Sequence, residues 1–209
     1  SMSSLLLISV LGVEEGAGFY TCLPFFHISA QGCFWMSVCS SGRLGVSERF
    51  SASRFWEETK KYDANWTMTL GAMIPILYNQ QPKEDDAKNP IKTVISAAAP
   101  KNFWKDFEQR FDLKIHELYA QTEGGFLLNF TDGRVGAMGK RTLIWDMNVF
   151  DDDDNHLEHG QVGELVGRPT NDSLRFYEYY KNPEATAAKT KNGWLRTGDL
   201  AYYDEEGYF

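Results

Sequence analysis

The sequence contains 209 residues, of which 43% are hydrophobic and 14% aromatic; this is enough apolar material for a folded core and excludes a disordered chain. The formal net charge is -8, so a nucleic acid or an anionic membrane surface would have to bind against the protein's own electrostatic field. The apolar stretch from Leu5 to Leu11 is too short to span a bilayer. We therefore expect no nucleic-acid partner and no membrane span.

The cysteine pattern indicates a reducing compartment. Cys22, Cys33 and Cys39 form neither a Cys-x-x-Cys pair nor an even set that would build a disulfide framework. No basic segment precedes the apolar stretch near the start of the sequence, as a secretory signal peptide would require. The sequence therefore predicts a cytoplasmic location.

Strand-like apolar runs alternate with helical patterns between Tyr20 and Leu113. In the second and the last of these runs, aromatic residues recur at helical spacing, which predicts helices that pack an aromatic face on a sheet. Alternation of this kind predicts an α/β fold with a mainly parallel sheet and flanking helices. The runs are FYTCLPFF (19–26), SASRFWEETKKY (51–62), WTMTLGAMIPIL (66–77), KTVISAAAP (92–100) and KNFWKDFEQRF (101–111).

The pattern changes at about Gly133, where glycines and acidic turns begin to separate short β-type runs. The sequence therefore predicts a partial α/β subdomain over 1–132, followed by a smaller antiparallel β-rich subdomain over 133–209. One short helix is expected there, with Asn182 as its N-cap and Pro183 at its first position. The β-type runs are TLIWDMNVF (142–150), GELVGR (163–168) and LAYY (200–203).

A glycine-rich turn lies in LYAQTEGG (118–125) and carries three chemically distinct side chains. Tyr119 offers an aromatic face, Thr122 a hydroxyl and Glu123 a carboxylate. These are the kinds of group that hold a nucleotide and its metal ion. The same residues are also compatible with the end of a strand at which Glu123 is exposed to solvent. The turn alone does not decide between the two interpretations.

Four stretches occur in an order that resembles one family. They resemble the central motifs of the AMP-forming adenylating enzymes, which include acyl-CoA synthetases, firefly luciferase and the adenylation domains of peptide synthetases. The resemblance covers nearly the whole chain from about residue 18, and the stretch 50–77 is most similar to the bacterial crotonobetaine/carnitine-CoA ligase branch. The four stretches are LPFFHIS (23–29), LYAQTEGG (118–125), GQVGELVGRP (160–169) and GWLRTGDLAYYDEEGYF (193–209).

The resemblance implies a role for each polar residue of the later motifs. Tyr119 would stack on adenine, Thr122 would bind the α-phosphate and Glu123 would hold Mg²⁺, a hard cation that prefers oxygen ligands. Asp199 would accept hydrogen bonds from both ribose hydroxyls, as suits an acceptor-only group. Without the resemblance, Asp199 would be interpreted as a β-turn residue after Gly198.

The resemblance also implies roles for residues in the earlier motifs. His27 would lie beside the acyl carboxylate and the access route of the thiol, at the carboxyl end of a strand, where open α/β sheets bind ligands. By itself it would more often be a satisfied core or edge residue. Ala97 and Ala98 would line the pocket wall along the adenine and the acyl chain. The sequence departs from the family at Ala120, where relatives usually have Gly.

The implied parent reaction joins a small-molecule carboxylic acid to ATP, forming acyl-adenylate and pyrophosphate, and then transfers the acyl group to CoA. ATP or AMP, Mg²⁺ and CoA are the expected cofactors. The family's Ser/Thr/Gly-rich phosphate loop and its C-terminal catalytic Lys have no counterpart here, so we expect a fragment with little or no activity alone. The alternative is a non-catalytic nucleotide-binding or interaction module that retains the fold. Either would form a homo-oligomer if apolar surface is exposed.

Three other patterns are weaker candidates for ligand sites. The segment 133–142 fails as a phosphate-binding loop because Arg134 and Arg141 occupy positions that require Gly and Ser/Thr. The run DDDDN (151–155) lacks the spaced ligands of a Ca²⁺ loop and predicts a hairpin turn. His156 and His159 lack the further ligands of a zinc site.

Overall fold

The computed structural model describes residues 2–130 and 134–209. The chain divides into two compact units, Ser1–Glu117 and Leu118–Phe209, and each is described by itself. The predicted subdomain boundary at 132/133 lies outside the described residues.

The first unit contains a parallel sheet with strand order β2-β1-β3-β4-β5. Its strands are β1 (Gly18–Thr21), β2 (Arg43–Val46), β3 (Trp66–Leu70), β4 (Thr93–Ala97) and β5 (Lys114–Ala120), the last of which continues past the unit boundary at Glu117. Its helices are α1 (Met2–Leu11), α2 (Ile28–Cys39), α3 (Phe55–Lys61), α4 (Met73–Tyr78) and α5 (Lys101–Phe111). Every residue of β1 is buried, as expected of a central parallel strand.

The aromatic residues at helical spacing form the core of the first unit. Phe55 of α3 is buried and packs edge-on against Tyr20 of β1, with 5.5 Å between the ring centroids. Trp56 stacks on Phe111 of α5, with centroids 4.4 Å apart. The prediction that these two helices direct aromatic side chains into the core is confirmed.

Two of the predicted strand-like runs were wrong in extent. In FYTCLPFF the strand ends at Thr21, and α2, which the sequence did not predict, begins at Ile28. Its apolar residues lie on all faces, and Trp35 is 41% exposed, so the helix lacks the periodicity that would reveal it. WTMTLGAMIPIL divides at Gly71 into β3 and α4, and the backbone at Gly71 approaches another loop too closely for a side chain.

The second unit consists mainly of antiparallel strands. Strands β6 (Phe126–Asn129) and β7 (Lys140–Arg141) form one antiparallel pair. The strands of the other sheet, in the order β10-β11-β9-β8, are β10 (Thr190–Lys191), β11 (Trp194–Ala201), β9 (Gly163–Pro169) and β8 (Trp145–Phe150). A 3-10 helix (Asp172–Leu174) and α6 (Pro183–Lys189) lie between β9 and β10. The predicted fold class, a mainly parallel α/β sheet followed by antiparallel β structure, is confirmed.

Local details of the second unit test the sequence interpretation further. Asn182 caps α6 as predicted, accepting a hydrogen bond from the Ala185 amide at 3.1 Å. The run DDDDN forms the predicted hairpin turn, closed by a hydrogen bond of 3.0 Å from the Asp151 amide to the Asn155 carbonyl. The strand predicted at LAYY was misplaced, because β11 ends at Ala201 and begins at Trp194.

Across the described part of the chain, no helix combines the length and the apolar character needed to cross a bilayer.

Candidate functional site

The glycine-rich turn of the second unit is closed by its own backbone. The Gln121 amide donates to the Gly124 carbonyl at 3.1 Å, and the Gly124 amide donates back to the Gln121 carbonyl at 3.2 Å. Gly124 has a φ of +138°, and a Cβ at this position would lie 2.2 Å from Cη2 of Trp145. Glycine is therefore required, and the turn holds Thr122 and Glu123 at its tip.

Asp199 lies at an irregularity within β11. The pairing of β11 with β9 shifts register between Arg196 and Leu200, and Gly198 adopts a φ of +81°. The buried Thr197 hydroxyl donates to the Leu165 carbonyl at 2.6 Å and accepts from the Asp199 amide at 3.1 Å. Asp199 is therefore presented on an exposed bulge of a strand, and the interpretation as a β-turn residue was wrong.

The structure brings Tyr119 and Asp199 into direct contact. The Tyr119 hydroxyl donates a hydrogen bond to Oδ2 of Asp199. Nε2 of Gln121 donates to the same oxygen at 2.9 Å and to the Thr197 carbonyl at 2.9 Å. Nζ of Lys189, at the end of α6, donates to Oε1 of Gln121 at 3.0 Å. These side chains form one hydrogen-bonded row.

Lys189 was not predicted as a site residue, and Gln121 was considered only as a candidate wall of the substrate pocket, not as a hydrogen-bonding partner of Asp199. The position of Gln121 within the turn was visible, but its hydrogen bonds to the region around Asp199 span 76 and 78 residues of sequence. Lys189 gave no signal beyond a basic residue in the last turn of a helix. Tyr119 remains protonated because burial, and then its hydrogen bond to Asp199, raise its pKa.

Glu123 is held by Tyr179, whose hydroxyl donates to Oε1. Burial alone would raise the pKa of Glu123, but the hydrogen bond from Tyr179 and the nearby charge of Lys189 outweigh it and hold the pKa below its usual range. The hydrogen bond to Glu123 is the main cause that raises the pKa of Tyr179 to about 12. Glu123 is therefore ionised at neutral pH. Thr122 is exposed, and no described residue hydrogen-bonds to its hydroxyl.

His27, in the first unit, begins α2 as its N-cap. Its Nδ1 accepts a hydrogen bond from the Ser29 amide at 3.1 Å, so the neutral ring carries its proton on Nε2. His27 was expected at the end of a strand, but that strand stops at Thr21 and residues 22–26 intervene. The side chain is half-buried, and Nε2 is the nitrogen left for a ligand.

Ala97 and Ala98 lie where β4 ends. Ala98 adopts a left-handed conformation with a φ of +63°, which is unusual for a residue with a Cβ. The amides of Ala98 and Ala99 donate to the two carboxylate oxygens of Glu117, at 2.5 and 2.8 Å. Burial raises the pKa of Glu117 to about 7, although both hydrogen bonds oppose the rise. Glu117 was not predicted, and its only sequence signal is an acidic residue in β5.

Comparison with known proteins assigns the chain to a family. The family profile described as AMP-binding enzyme matches residues 2–171. The chain belongs to the AMP-binding enzymes. The predicted similarity to the crotonobetaine/carnitine-CoA ligase branch is also confirmed: such a ligase from Escherichia coli O157:H7 (strain EC4115 / EHEC) is 32% identical over 200 residues, covering 91% of this chain and 38% of the ligase. The chain thus spans well under half the length of the curated relatives it matches.

Solved structures of AMP-binding relatives share the fold. A Mycobacterium tuberculosis fatty acyl CoA synthetase is 28% identical with a TM-score of 0.81, covering 99% of this chain and 41% of that chain. The o-succinylbenzoate coenzyme A synthetase of Bacillus subtilis, solved in complex with ATP and magnesium ion, has a TM-score of 0.81 at 22% identity, covering 99% of this chain and 43% of that one. The second likeness supports the fold alone.

The residues of this AMP-binding chain fit a nucleotide with its metal ion. The described residues contain no cluster of three or more His, Cys, Asp or Glu side chains that would hold a metal by themselves. Mg²⁺ bound through a nucleotide needs only one or two carboxylates besides the phosphates, and Glu123 supplies one with Oε2 open. Asp199 accepts both of its side-chain hydrogen bonds on Oδ2, which leaves Oδ1 for a ribose hydroxyl.

Proposed function

We propose that this chain forms part of an AMP-forming acyl-CoA synthetase. The parent enzyme would join a small carboxylic acid to ATP and pass the acyl group to CoA. The observation that carries the proposal is the contact between Tyr119 and Asp199, because it sets an aromatic ring beside a carboxylate with a free oxygen. That pair suits the two halves of adenosine, a flat purine and a ribose diol.

In the second unit, the proposal assigns the ring of Tyr119 to adenine and Oδ1 of Asp199 to the ribose. The exposed hydroxyl of Thr122 would bind the α-phosphate. Glu123 would hold Mg²⁺, which neutralises charge on the phosphates and polarises the phosphorus centre. The low pKa of Glu123 supports this assignment, because a metal ligand must be ionised.

In the first unit, the proposal assigns Ala97 and Ala98 to a wall that a ligand packs against and His27 to the surroundings of the carboxylate and the thiol. The name of the Escherichia coli relative, a CoA ligase, supports CoA as acyl acceptor and a small acid as substrate. The match of residues 2–171 to the AMP-binding enzyme family supports the nucleotide.

The proposed reaction proceeds in two steps, adenylation of the acid and transfer of the acyl group to CoA. A carboxylate oxygen attacks the α-phosphorus of ATP, and the bond to the bridging oxygen breaks, releasing pyrophosphate. The thiolate of CoA then attacks the carbonyl carbon of the adenylate, and AMP leaves with the electron pair of the broken C–O bond. Fixed donors and a metal ion lower the barrier of the first step by stabilising the charge that develops on phosphate oxygens.

Calorimetric titration with AMP tests the nucleotide site. We expect binding by the unsubstituted chain and at least tenfold weaker binding for Asp199→Asn, because its single acceptor oxygen cannot serve both the ribose and the Tyr119 and Gln121 donors. Asp152→Asn is the matched control, because Asp152 is an exposed acid in the 151–155 turn. This variant should bind AMP with the same affinity as the unsubstituted chain. Equal affinities for all three proteins would overturn the assignment of Asp199.

Exchange between ATP and labelled pyrophosphate tests the reaction class. We expect at most weak exchange, which depends on a carboxylic acid and is tested with a panel that includes crotonobetaine and carnitine. AMP binding without exchange for any acid would favour the alternative, a non-catalytic module that retains the nucleotide site. If the chain neither bound AMP nor catalysed exchange, both functions would be overturned.

A further inference from the structure

A buried carboxylate holds the loop that follows β4. Glu117 is 5% exposed, and each of its side-chain oxygens accepts from a different backbone amide, Ala98 at 2.5 Å and Ala99 at 2.8 Å. Two charge-assisted hydrogen bonds to successive amides fix the position of a loop more strongly than a single bond to one of them.

No cation compensates the charge of Glu117 from the adjacent strands. Lys114 and His116 of β5 alternate with Glu117 and point to the opposite face of the sheet. Neither β4 nor β3 carries a charged residue. An apolar side chain would be less costly to bury at this position, but it would leave the amides of Ala98 and Ala99 without their acceptors.

The same loop is clamped from its carbonyl side. The Gly71 amide donates to the Ala97 carbonyl at 2.7 Å. A Cβ on Gly71 would lie 1.8 Å from the Ala98 carbonyl oxygen, so the two backbones are in direct contact. Ala98 is left-handed between these two constraints, a conformation that a non-glycine residue keeps only when its surroundings impose it.

We propose that Glu117 is a positioning residue for the ligand wall of the first unit: its carboxylate holds the amides of Ala98 and Ala99 and so sets the surface that an adenylate packs against. The inference rests on the proposed function for the identity of the ligand. The anchoring itself is a property of the loop and can be measured without any ligand.

Amide hydrogen exchange, followed by nuclear magnetic resonance, tests the anchoring. Glu117→Gln keeps the size of the side chain but replaces one acceptor oxygen by an amide group that can only donate. We expect the Ala98 and Ala99 amides to exchange about tenfold faster or more in this variant, the factor that follows from losing a charge-assisted hydrogen bond. AMP affinity should fall by a similar factor.

Glu108→Gln is the matched control. Glu108 is also a buried carboxylate of the first unit, and its Oε1 accepts from the Ile115 amide at 3.0 Å. In this variant the Ile115 amide should exchange faster, whereas the exchange of the Ala98 and Ala99 amides and the AMP affinity should stay as in the unsubstituted chain. Unchanged exchange at Ala98 and Ala99 in Glu117→Gln would overturn the anchoring. Faster exchange with unchanged AMP affinity would overturn the positioning role.

A measurement on the unsubstituted chain keeps the inference testable if Glu117→Gln does not fold. Because the pKa of Glu117 lies at about 7, the amide shifts of Ala98 and Ala99 should titrate together near neutral pH. Exchange of these two amides in the unsubstituted chain as fast as in an unfolded peptide would overturn the anchoring. Suppose that the unsubstituted chain bound no AMP, but the Ala98 and Ala99 amides still exchanged faster in Glu117→Gln than in the unsubstituted chain. The nucleotide proposal and the positioning role would then fail, and the anchoring would stand.

Discussion

Tyr119 donates a hydrogen bond from its hydroxyl to Oδ2 of Asp199, a residue 80 positions later in the sequence. The ring of Tyr119 and the carboxylate of Asp199 are therefore held side by side. The hydroxyl contributes to this alignment, whereas the ring is the part that would contact adenine.

Two substitutions at Tyr119 separate these contributions. Tyr119→Phe keeps the ring and should leave AMP affinity within about a factor of three, because Gln121 still holds Oδ2 of Asp199. Tyr119→Leu removes the aromatic face and should weaken AMP binding about tenfold or more, since stacking on a base contributes roughly 1 to 3 kcal/mol. Calorimetric titration with AMP measures the affinity of each variant. An equal loss of affinity in the two variants would show that the ring does not stack on adenine.

The pH dependence of stability should reflect the bond between Tyr179 and Glu123. The folded-state pKa of Glu123 lies below its unfolded value, so its ionised form stabilises the fold above the unfolded pKa, and this stabilisation is lost as the pH falls through the folded pKa. Tyr179→Phe removes the donor and should bring the pKa of Glu123 back toward its usual range.

The measurement is the free energy of unfolding in urea from pH 7 to pH 3, for the unsubstituted chain and for Tyr179→Phe. The variant should lose less stability on acidification. Tyr177→Phe, in the same segment and without a hydrogen bond to Glu123, is the control and should behave as the unsubstituted chain does. A steeper loss for Tyr179→Phe would contradict the assigned hydrogen bond.

Gly124 should tolerate no side chain. Gly124→Ala places a Cβ against the ring of Trp145 at a backbone conformation that alanine rarely adopts, so the free energy of unfolding should fall by about 2 kcal/mol or more. Gly160→Ala, with a φ of +79° and nothing within 4 Å of the new Cβ, should lose only about 1 kcal/mol. Urea unfolding of both variants provides the measurement. Similar losses would mean that the packing against Trp145 does not constrain the turn.

The first unit exposes a set of large apolar side chains that should mediate self-association. Phe26 is 87% exposed and Trp35 of α2 is 41% exposed. We expect concentration-dependent association in sedimentation velocity above micromolar concentrations, reduced in Phe26→Ser combined with Trp35→Ser. Leu143→Ser, at an 85% exposed leucine in the second unit, should have no effect. A monomer at all concentrations would contradict this prediction.

Sequence periodicity was sufficient for elements whose burial pattern is regular. The aromatic spacing predicted α3 and α5, because one face of each helix is buried and the other is solvated. The same reasoning missed α2, which exposes apolar residues, and it could not divide the run 66–77 at Gly71, where the backbone closely approaches a loop distant in sequence.

By itself, the sequence determined the α/β character of the protein, its family and the identity of Tyr119, Thr122, Glu123 and Asp199 as candidate ligand contacts, because residue type, spacing and motif order are properties of the linear chain. Only the tertiary structure decided which side chains hold these candidates. Gln121 beside Asp199, Tyr179 on Glu123 and Glu117 on the Ala98 amide join positions 78, 56 and 19 residues apart. Hydrogen bonds depend on distance and direction in space, so a partner brought close by folding leaves no pattern in the sequence.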